Sequence, residues 1–321
     1  MPLTPLSNLF IVLMVLVTTM LGYFKLANKF NIIDKPNERS SHTKVTIRGG
    51  GVLFPISIVL WSIVSGVFNP FIIGLVLISV VSFIDDCKPL SNKIRISIHF
   101  LSIGLLLYQL GFSEFSYLSW AFGLLFIGGW INAYNFMDGI NGITVLYSLS
   151  VLSVCYYLNL QHSFVSPLFI TYTFMGLLGF GFYNVRKKAK TFAGDVGSVS
   201  MAFILAFILV SLLLKSANWQ YILLVSVYGI DTLVTIVERL RKKENIFKAH
   251  RSHLYQYLAN EAKWSHVRVS VLYAVLQLIL NVILIYYIIP LNSHSAAVTF
   301  LLLQGGIYLG SKNLLLQQLK K

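Results

Sequence analysis

Long apolar runs separated by short polar clusters fill this chain. A helix needs roughly 20 mainly apolar residues to cross the hydrocarbon core of a bilayer, and most of these runs approach that length. The pattern predicts an all-α polytopic membrane protein with about eleven transmembrane helices. The predicted spans cover residues 8–27, 51–68, 70–86, 94–112, 118–137, 141–160, 165–183, 197–215, 219–238, 267–289 and 296–311.

The basic residues separate onto one side of this predicted topology. Every Lys and Arg except Lys215 lies at or beyond the same end of the spans. Because cytosolic loops of membrane proteins are enriched in Lys and Arg, we expect the N-terminus outside and the C-terminus in the cytosol. The predicted cytosolic loops cover about residues 28–50, 85–93, 184–196 and 239–266.

Composition supports the membrane class and excludes a nucleic-acid-binding protein. Hydrophobic residues make up 56% of the 321 positions and charged residues only 11%, whereas a soluble domain carries about 25% charged residues. The mean hydropathy is +0.75. The net charge of +14 follows from the enrichment of basic residues on one side. Since these residues are spread over many short loops, no nucleic-acid partner is expected.

Neither a disulfide nor a separate soluble domain is expected. Cys87 lies on the basic side and Cys155 lies inside an apolar run, so the two cysteines are not placed to pair. No positively charged segment precedes the first apolar run, which favours a retained span over a cleaved signal peptide. We expect residues 1–321 to form a single integral membrane domain.

Two adjacent acids, Asp85 and Asp86, end the third predicted span. Carboxylates at a helix C-terminus meet the negative end of the helix dipole, so a nearby cation would stabilise them. Adjacent residues point about 100° apart on a helix, so one carboxylate can hold a metal while the other meets a substrate. The alternative is a pair of acids that only marks the helix end.

A polar string follows the fifth predicted span, where Asn132, Asn135 and Asp138 recur at a spacing of three. This spacing keeps the side chains on one helical face, where two amides and a carboxylate can bind a polar ring or a ribose. Hydrogen bonding between helices, which is common for Asn in spans, is the alternative.

The string from Phe192 to Ser198 combines an aromatic residue, two glycines and Asp195 just before the eighth predicted span. Exposed amides at such a helix start favour an anion such as phosphate. Asp195 could then complete a Mg²⁺ site, because Mg²⁺ prefers one or two carboxylates together with substrate phosphates.

A histidine loop, His250-Arg251-Ser252-His253, lies in the longest predicted cytosolic loop. No matching Cys or carboxylate pair stands nearby, so phosphate binding or proton transfer fits better than a Zn²⁺ site. Solvated loop histidines are the alternative. Asp231 lies inside the ninth predicted span, where an acid costs roughly 2.5–3.5 kcal/mol and therefore indicates a functional or packing site.

Taken in order, these strings resemble those of the polyprenyl-phosphate N-acetylhexosamine-1-phosphate transferases. That family includes the GlcNAc-1-phosphate transferases that start O-antigen and teichoic acid synthesis and the phospho-MurNAc-pentapeptide transferases. The resemblance runs from Asp34 to about Leu258. It is carried by the Asp-x-Pro-x-x-Arg-x-x-His loop at 34–42, Asp85-Asp86 followed by Arg95, Asn-x-x-Asn-Phe-x-Asp-Gly at 132–139, Phe-x-Gly-Asp-x-Gly-Ser at 192–198, Asp231 and the histidine loop.

The resemblance implies a Mg²⁺-dependent reaction, with Mn²⁺ as an alternative ion. A UDP-N-acetylamino sugar would donate its sugar 1-phosphate to undecaprenyl phosphate at the cytosolic face of a bacterial inner membrane and release UMP. The resemblance implies that Asp195 binds the metal with Asp86 or Asp85, and that one of the pair acts on the lipid phosphate as base or nucleophile. The residues that it assigns to substrate binding or catalysis also include Arg39, His42, Asn132, Asn135, Asp138, Asn184, Phe192, His250, Arg251 and His253.

Three departures from the family pattern bear on the branch. Asn141 stands where many members carry a second Asp, the segment 184–192 lacks the usual proline, and the histidine loop has no run of adjacent histidines. The last two features favour the O-antigen-type branch. A homodimer is kept as an open expectation. The rival interpretation is a transporter or lipid flippase, which would place its polar groups near the bilayer midplane, often in repeated halves.

Overall fold

The computed structural model describes residues 5–36, 41, 44–245 and 251–319, apart from the side chains of residues 5–8. The described chain is mostly helical, and its one sheet is formed by β1 (Ile33–Asp34) and β2 (Thr46–Ile47). The helices are α1 (Pro5–Lys29), α2 (Leu53–Ser65), α3 (Pro70–Cys87), α4 (Asn92–Gln109), α5 (Tyr117–Met137), α6 (Ile143–His162), α7 (Pro167–Asn184), α8 (Gly194–Ser216), α9 (Ser226–Arg241), α10 (Leu254–Gln256), α11 (His266–Ile283) and α12 (His294–Gln318).

Each predicted span overlaps a helical segment of the structure. The mostly helical class is confirmed and agrees with a polytopic membrane protein. Within the described residues, six helical segments are long and apolar enough to cross a membrane. They are Leu9–Lys29, Pro70–Cys87, Ile143–His162, Gly194–Ser216, Trp219–Arg241 and His266–Leu291. With the 3₁₀ turn Gly50–Val52 before it, α2 forms a shorter apolar helix, Gly50–Ser65. The total of eleven spans and their orientation stay predictions.

Helix α8 forms the centre of the bundle. It is the most completely buried of the six candidate spans and packs against α2, α3, α5 and α6. Aromatic rings fix its contact with α3, because Phe71 stacks on Phe203 and Phe207 at centroid distances of 5.5 and 4.1 Å. Phe71 lies at the start of α3, so the two helices run antiparallel, and the end of α3 reaches the start of α8, where Asp86 meets Asp195.

The outer surface of the bundle is apolar. Large side chains such as Leu125, Leu302 and Ile307 are each more than two thirds exposed. A soluble protein rarely exposes so many contiguous apolar groups, whereas lipid contact requires them. This surface agrees with a protein whose helices lie in a bilayer.

Helix α9 does not continue from the 3₁₀ segment that precedes it. Residues Trp219–Val225 form that 3₁₀ segment, and the α-helical pattern begins only at Ser226. The backbone groups freed by the change of pitch bind side chains of α11. The side-chain amide oxygen of Gln277 accepts from the Val227 N–H at 2.9 Å, and the side-chain amide of Asn281 donates to the Leu224 carbonyl at 3.2 Å. Non-helical backbone at membrane depth is tolerated where protein groups satisfy it in this way.

The connection between α1 and α2 folds back onto the start of α8. In the sheet, Ile33 pairs with Ile47 in antiparallel register. On its other side, Ile47 forms a parallel bridge to Thr191 and accepts a hydrogen bond from the Phe192 N–H at 2.8 Å. Residues 46–51 are therefore fixed beside the segment that leads into α8.

Candidate active site

The ends of α3, α5 and α7 meet the start of α8 around one polar cavity of about 300 Å³. Most of its lining comes from the connections between helices, where side chains are not needed for helix packing. The cavity is lined by Asp34, Ser41, Arg48, Asn135, Asp138, Gly139, Ile140, Asn141, Asn184, Phe192, Ala193, Gly194, Asp195, Gln256 and His266.

Asp86 binds the N-terminus of α8. Its side chain is fully buried and accepts hydrogen bonds from the backbone N–H groups of Asp195 at 2.9 Å and Val196 at 3.0 Å. A carboxylate at this position satisfies amides that the helix leaves unpaired and meets the positive end of its dipole. The sequence predicts that these amides bind a phosphate, but the structure fills them with the protein's own carboxylate.

Two arginines join three carboxylates at the edge of the cavity. Arg48 lies 2.6 Å from Asp86 and 3.0 Å from Asp195. Arg95 lies 3.1 Å from Asp85 and 3.6 Å from Asp195. Burial lowers the pKa of Arg48, but the Asp86 and Asp195 carboxylates raise it by more, so the pKa lies above its ordinary value. The cluster therefore keeps its guanidinium charge at any physiological pH.

Glycines allow the backbone segments of the cluster to approach each other. A Cβ on Gly51 would lie 2.3 Å from the Cα of Gly197, and a Cβ on Gly194 would lie 2.4 Å from the Asp86 carboxylate. Gly194 also adopts a φ of +72°, which side-chain-bearing residues rarely adopt. These glycines, of which Gly194 and Gly197 belong to the predicted phosphate-binding string, thus serve contacts inside the protein.

The end of α5 forms a second polar wall of the cavity. Asn135 accepts a hydrogen bond from Ser198 of α8, and Asp138 accepts one from Thr144. Burial raises the pKa of the Asp138 carboxyl to about 7; the Thr144 hydrogen bond opposes this rise and the Asp195 charge adds to it. Asp138 can therefore change its charge near neutral pH.

Asn184, at the end of α7, connects the start of α6 to the segment that leads into α8. Its amide oxygen accepts from the Gly142 N–H at 2.7 Å, and its amide nitrogen donates to the Thr191 carbonyl at 2.9 Å. Asn141 is held similarly, because its amide donates to the Arg186 carbonyl at 3.0 Å. Phe192 is half-buried at the same wall, where its ring can stack on a flat ligand.

The structure brings together only part of the predicted site. Asn135, Asp138, Asn184, Phe192 and Asp195 line the cavity, and Asp85 and Asp86 join Asp195 through the arginines. In contrast, Asn132 is exposed on α5, His253 is buried behind the wall, and Arg251 pairs with Glu261 at 3.4 Å. These three side chains do not line the cavity. Arg39, His42 and His250 lie outside the described residues.

Four further residues belong to this site although the sequence patterns do not single them out as site residues. Arg95 belongs to the Asp85-Asp86 string that carries the family resemblance. Arg48 directly precedes three glycines, Gly49 to Gly51. These two features are the sequence signals for the arginines. Gln256 and His266 line the cavity from the far end of the chain, and no local pattern indicates either of them.

The carboxylates are suited to Mg²⁺ when a phosphate ligand completes the coordination. Among the residues that the structure describes, no group of three or more His, Cys, Asp or Glu side chains could hold a metal ion. Mg²⁺ is usually held by one or two carboxylates together with substrate phosphates and water. Asp195, 17% exposed at the cavity edge and adjacent to Asp86, fits that requirement.

Comparisons with known proteins find transferases similar to this chain. Residues 68–213 match the family model described as glycosyl transferase family 4. Over 274 residues the chain is 26% identical to the "probable undecaprenyl-phosphate N-acetylglucosaminyl 1-phosphate transferase" of Bacillus subtilis (strain 168), covering 78% of this chain and 76% of that protein.

Two further relatives carry the name phospho-N-acetylmuramoyl-pentapeptide-transferase. The protein of Lactococcus lactis subsp. cremoris (strain MG1363) is 34% identical over 173 residues, so the chain spans about half of its length. The protein of Streptococcus sanguinis (strain SK36) is 28% identical over 264 residues, which cover 69% of this chain and 78% of that protein. These matches confirm the family resemblance seen in the sequence: the chain is similar to both kinds of transferase.

Proposed function

We propose that the chain transfers an N-acetylamino-sugar 1-phosphate from a UDP-sugar to undecaprenyl phosphate and releases UMP, which starts a lipid-linked cell-envelope glycan. The observation that carries the proposal is the cluster of three carboxylates and two guanidinium groups at the edge of one cavity. Two phosphate-bearing substrates repel each other. The carboxylates can hold a divalent cation that offsets this repulsion, and the guanidinium groups add positive charge beside it. The names of the relatives support the choice of donor and acceptor.

The uridine end of the donor is assigned to the wall formed by α5 and the segment before α8. Phe192 presents a half-buried ring, and Asn135 and Asp138 present an amide and a carboxylate in the same cavity. An aromatic face binds a base by stacking, and the polar groups can bind its edge or the ribose.

The diphosphate is assigned to the opposite edge, beside Arg48 and Asp195. Asp195, with Asp86 beside it, would hold Mg²⁺ there, and the ion would neutralise charge on the diphosphate and on the departing UMP. Arg48 and Arg95 hold the acids in place and lie close enough to contribute their own charge.

In the transfer, an oxygen of the lipid phosphate forms a bond to the phosphorus that carries the sugar. The bond from that phosphorus to the bridging oxygen breaks, and UMP leaves with that oxygen. Of the acidic pair, Asp85 is the better candidate to act on the lipid phosphate. Its side chain is 9% exposed and is held by Leu90 N–H and Arg95, whereas the fully buried Asp86 holds the start of α8.

The finer assignments extend this proposal. The chain acts as one integral membrane domain, its cavity faces the cytosol as the basic loops predict, and it belongs to the O-antigen-type branch. The altered segment 184–192 and the histidine loop support the choice of branch.

A panel of UDP-amino sugars tests the proposal when each is mixed with the purified protein, Mg²⁺ and undecaprenyl phosphate. We expect UMP release that requires both the lipid and one of the sugars, and none from a folded Asp195→Asn variant. Absence of UMP release with every sugar from folded wild-type protein would overturn the proposal. Uptake of intact UDP-sugar or lipid across vesicles, without UMP release, would favour the transporter instead.

A further inference from the structure

The segment that carries His253 is held behind the cavity by residues of the last helix. Lys312 of α12 is only 1% exposed, yet its ammonium group lies 2.7 Å from the Glu238 carboxylate and donates to the Ser252 carbonyl at 2.9 Å. Burying a lysine is unfavourable unless its charge is paired and hydrogen-bonded, and both conditions are met here. The contact joins residues that are 60 positions apart in the chain.

Aromatic rings complete the surroundings of this lysine. The Lys312 ammonium group lies 5.8 Å from the ring centroids of both Tyr257 and Tyr308. At this distance the ring faces attract a cation, which offsets part of the lost hydration. Tyr308 stands four residues before Lys312, so the two side chains share one face of α12.

A second contact from the same face reaches Asp231 of α9. The Tyr308 hydroxyl donates to the buried Asp231 carboxylate at 3.0 Å, and Tyr273 of α11 donates to it at 2.6 Å. The same carboxylate lies 2.8 Å from His253 Nδ1. This acid inside the ninth predicted span therefore fixes the imidazole ring, and tyrosines of α11 and α12 hold the acid in place.

The fixed segment ends at the cavity. Gln256 lines the cavity, and its side chain accepts a hydrogen bond from the His253 N–H at 3.2 Å. Between them, Tyr255 donates to the Phe136 carbonyl at 2.8 Å and so docks on the end of α5, next to Asp138. Movement of residues 252–256 would shift one wall of the cavity.

We propose that Lys312 and Tyr308 are positioning residues that hold the 252–256 segment as the cavity wall facing the donor substrate. The contacts come from the structure alone, while the kinetic readout rests on the proposed function. Because Gln256 of this segment lines the donor cavity, release of the segment weakens binding of the UDP-sugar and leaves the lipid phosphate unaffected.

The test compares full-length Lys312→Met, Lys312→Arg and Tyr308→Phe proteins with wild type. The control is Lys215→Met, which removes an exposed cation at the other end of α8. For Lys312→Met we expect the KM for UDP-sugar to rise about tenfold while the KM for undecaprenyl phosphate changes less than about twofold. Amide hydrogen exchange across residues 251–262 should accelerate. Lys312→Arg should restore both properties, and the control should match wild type.

Unchanged KM values together with unchanged exchange in 251–262 would overturn the proposal, as would an equal rise in both KM values. A fall in kcat alone, with exchange unaltered, would show that Lys312 does not act by holding this segment and would also count against the proposal. If Lys312→Met does not fold, the same comparison is made with Tyr308→Phe, which loses a single hydroxyl group. For this variant we expect the KM for UDP-sugar to rise about threefold. If wild type releases no UMP, the proposed function fails, while the exchange comparison still tests the positioning role.

Discussion

Replacing Asp86 with Asn is expected to destabilise the protein before any question of catalysis arises. Asp86 accepts two hydrogen bonds from the first amides of α8 and forms an ion pair with Arg48 at 2.6 Å, and its side chain is fully buried. An Asn side chain offers a single acceptor oxygen, and its amide nitrogen would face one of those donors. The variant therefore loses an ion pair and leaves at least one buried donor unsatisfied.

The size of the effect follows from these contacts. Removing one partner of a buried ion pair costs about 3–5 kcal/mol. Arg48 keeps Asp195 at 3.0 Å and is 33% exposed, so water and the second acid compensate part of the loss. We expect a decrease of about 2–3 kcal/mol in the free energy of unfolding, which corresponds to a fall in Tm of about 5–10 °C.

Thermal unfolding in detergent, followed by tryptophan fluorescence with EDTA present, measures this effect without a contribution from bound metal. Asp195→Asn is the comparison variant, because it leaves the α8 amides and the Arg48–Asp86 pair intact. It loses only the contacts of Asp195 with Arg48 and Arg95, and its side chain is 17% exposed rather than fully buried, so its Tm should fall less than that of Asp86→Asn. If the Tm of Asp86→Asn equals that of wild type, or if both variants lower the Tm equally, then Asp86 does not hold the start of α8.

Four further outcomes are expected. EDTA should stop UMP release and Mg²⁺ should restore it, with Mn²⁺ as an alternative; full turnover in EDTA would exclude a metal. Phe192→Ala should raise the KM for UDP-sugar with little change in kcat, because stacking contributes binding energy, and an unchanged KM would refute stacking. Because burial raises the pKa of Asp138 to about 7, its carboxylate form is lost as the pH falls through 7, so the KM for UDP-sugar should rise below that pH in wild type and not in Asp138→Asn. A membrane-impermeant maleimide should label the exposed Cys87 in inside-out vesicles and not in intact cells, whereas labelling in intact cells would reverse the orientation.

The fold was largely predictable because apolar run length has a direct physical meaning in a bilayer. Each predicted span overlaps a helical segment, since a lipid-exposed backbone has few alternatives to helical hydrogen bonding. The interruption before Ser226 was not predictable, because its stabilising partners, Gln277 and Asn281, belong to α11. The short β1–β2 pair was not predictable either, because strands of two residues are too short to show an alternation of polar and apolar positions.

The site was predictable where one string supplies both a helix end and its polar groups. Asn135, Asp138, Phe192 and Asp195 belong to such strings and line the cavity. Helical spacing alone misplaced Asn132: it puts this residue on the face of Asp138, yet the residue is exposed. The role of Lys312 was hidden because the sequence shows a lysine near the chain end, whereas its contacts depend on how α12 returns to Glu238 and Ser252.

The interrupted start of α9 has a consequence for how the protein is made. The segment beginning at residue 219 leaves the ribosome before its hydrogen-bond partners, which follow 50 and 57 residues after Val227 and Leu224. In hydrocarbon, each unsatisfied backbone group would cost several kcal/mol. The segment is therefore expected to wait in an aqueous or translocon environment until α11 emerges, so that the two enter the lipid as a paired unit. A chain truncated before residue 266 would lack that partner and become a substrate for membrane quality control.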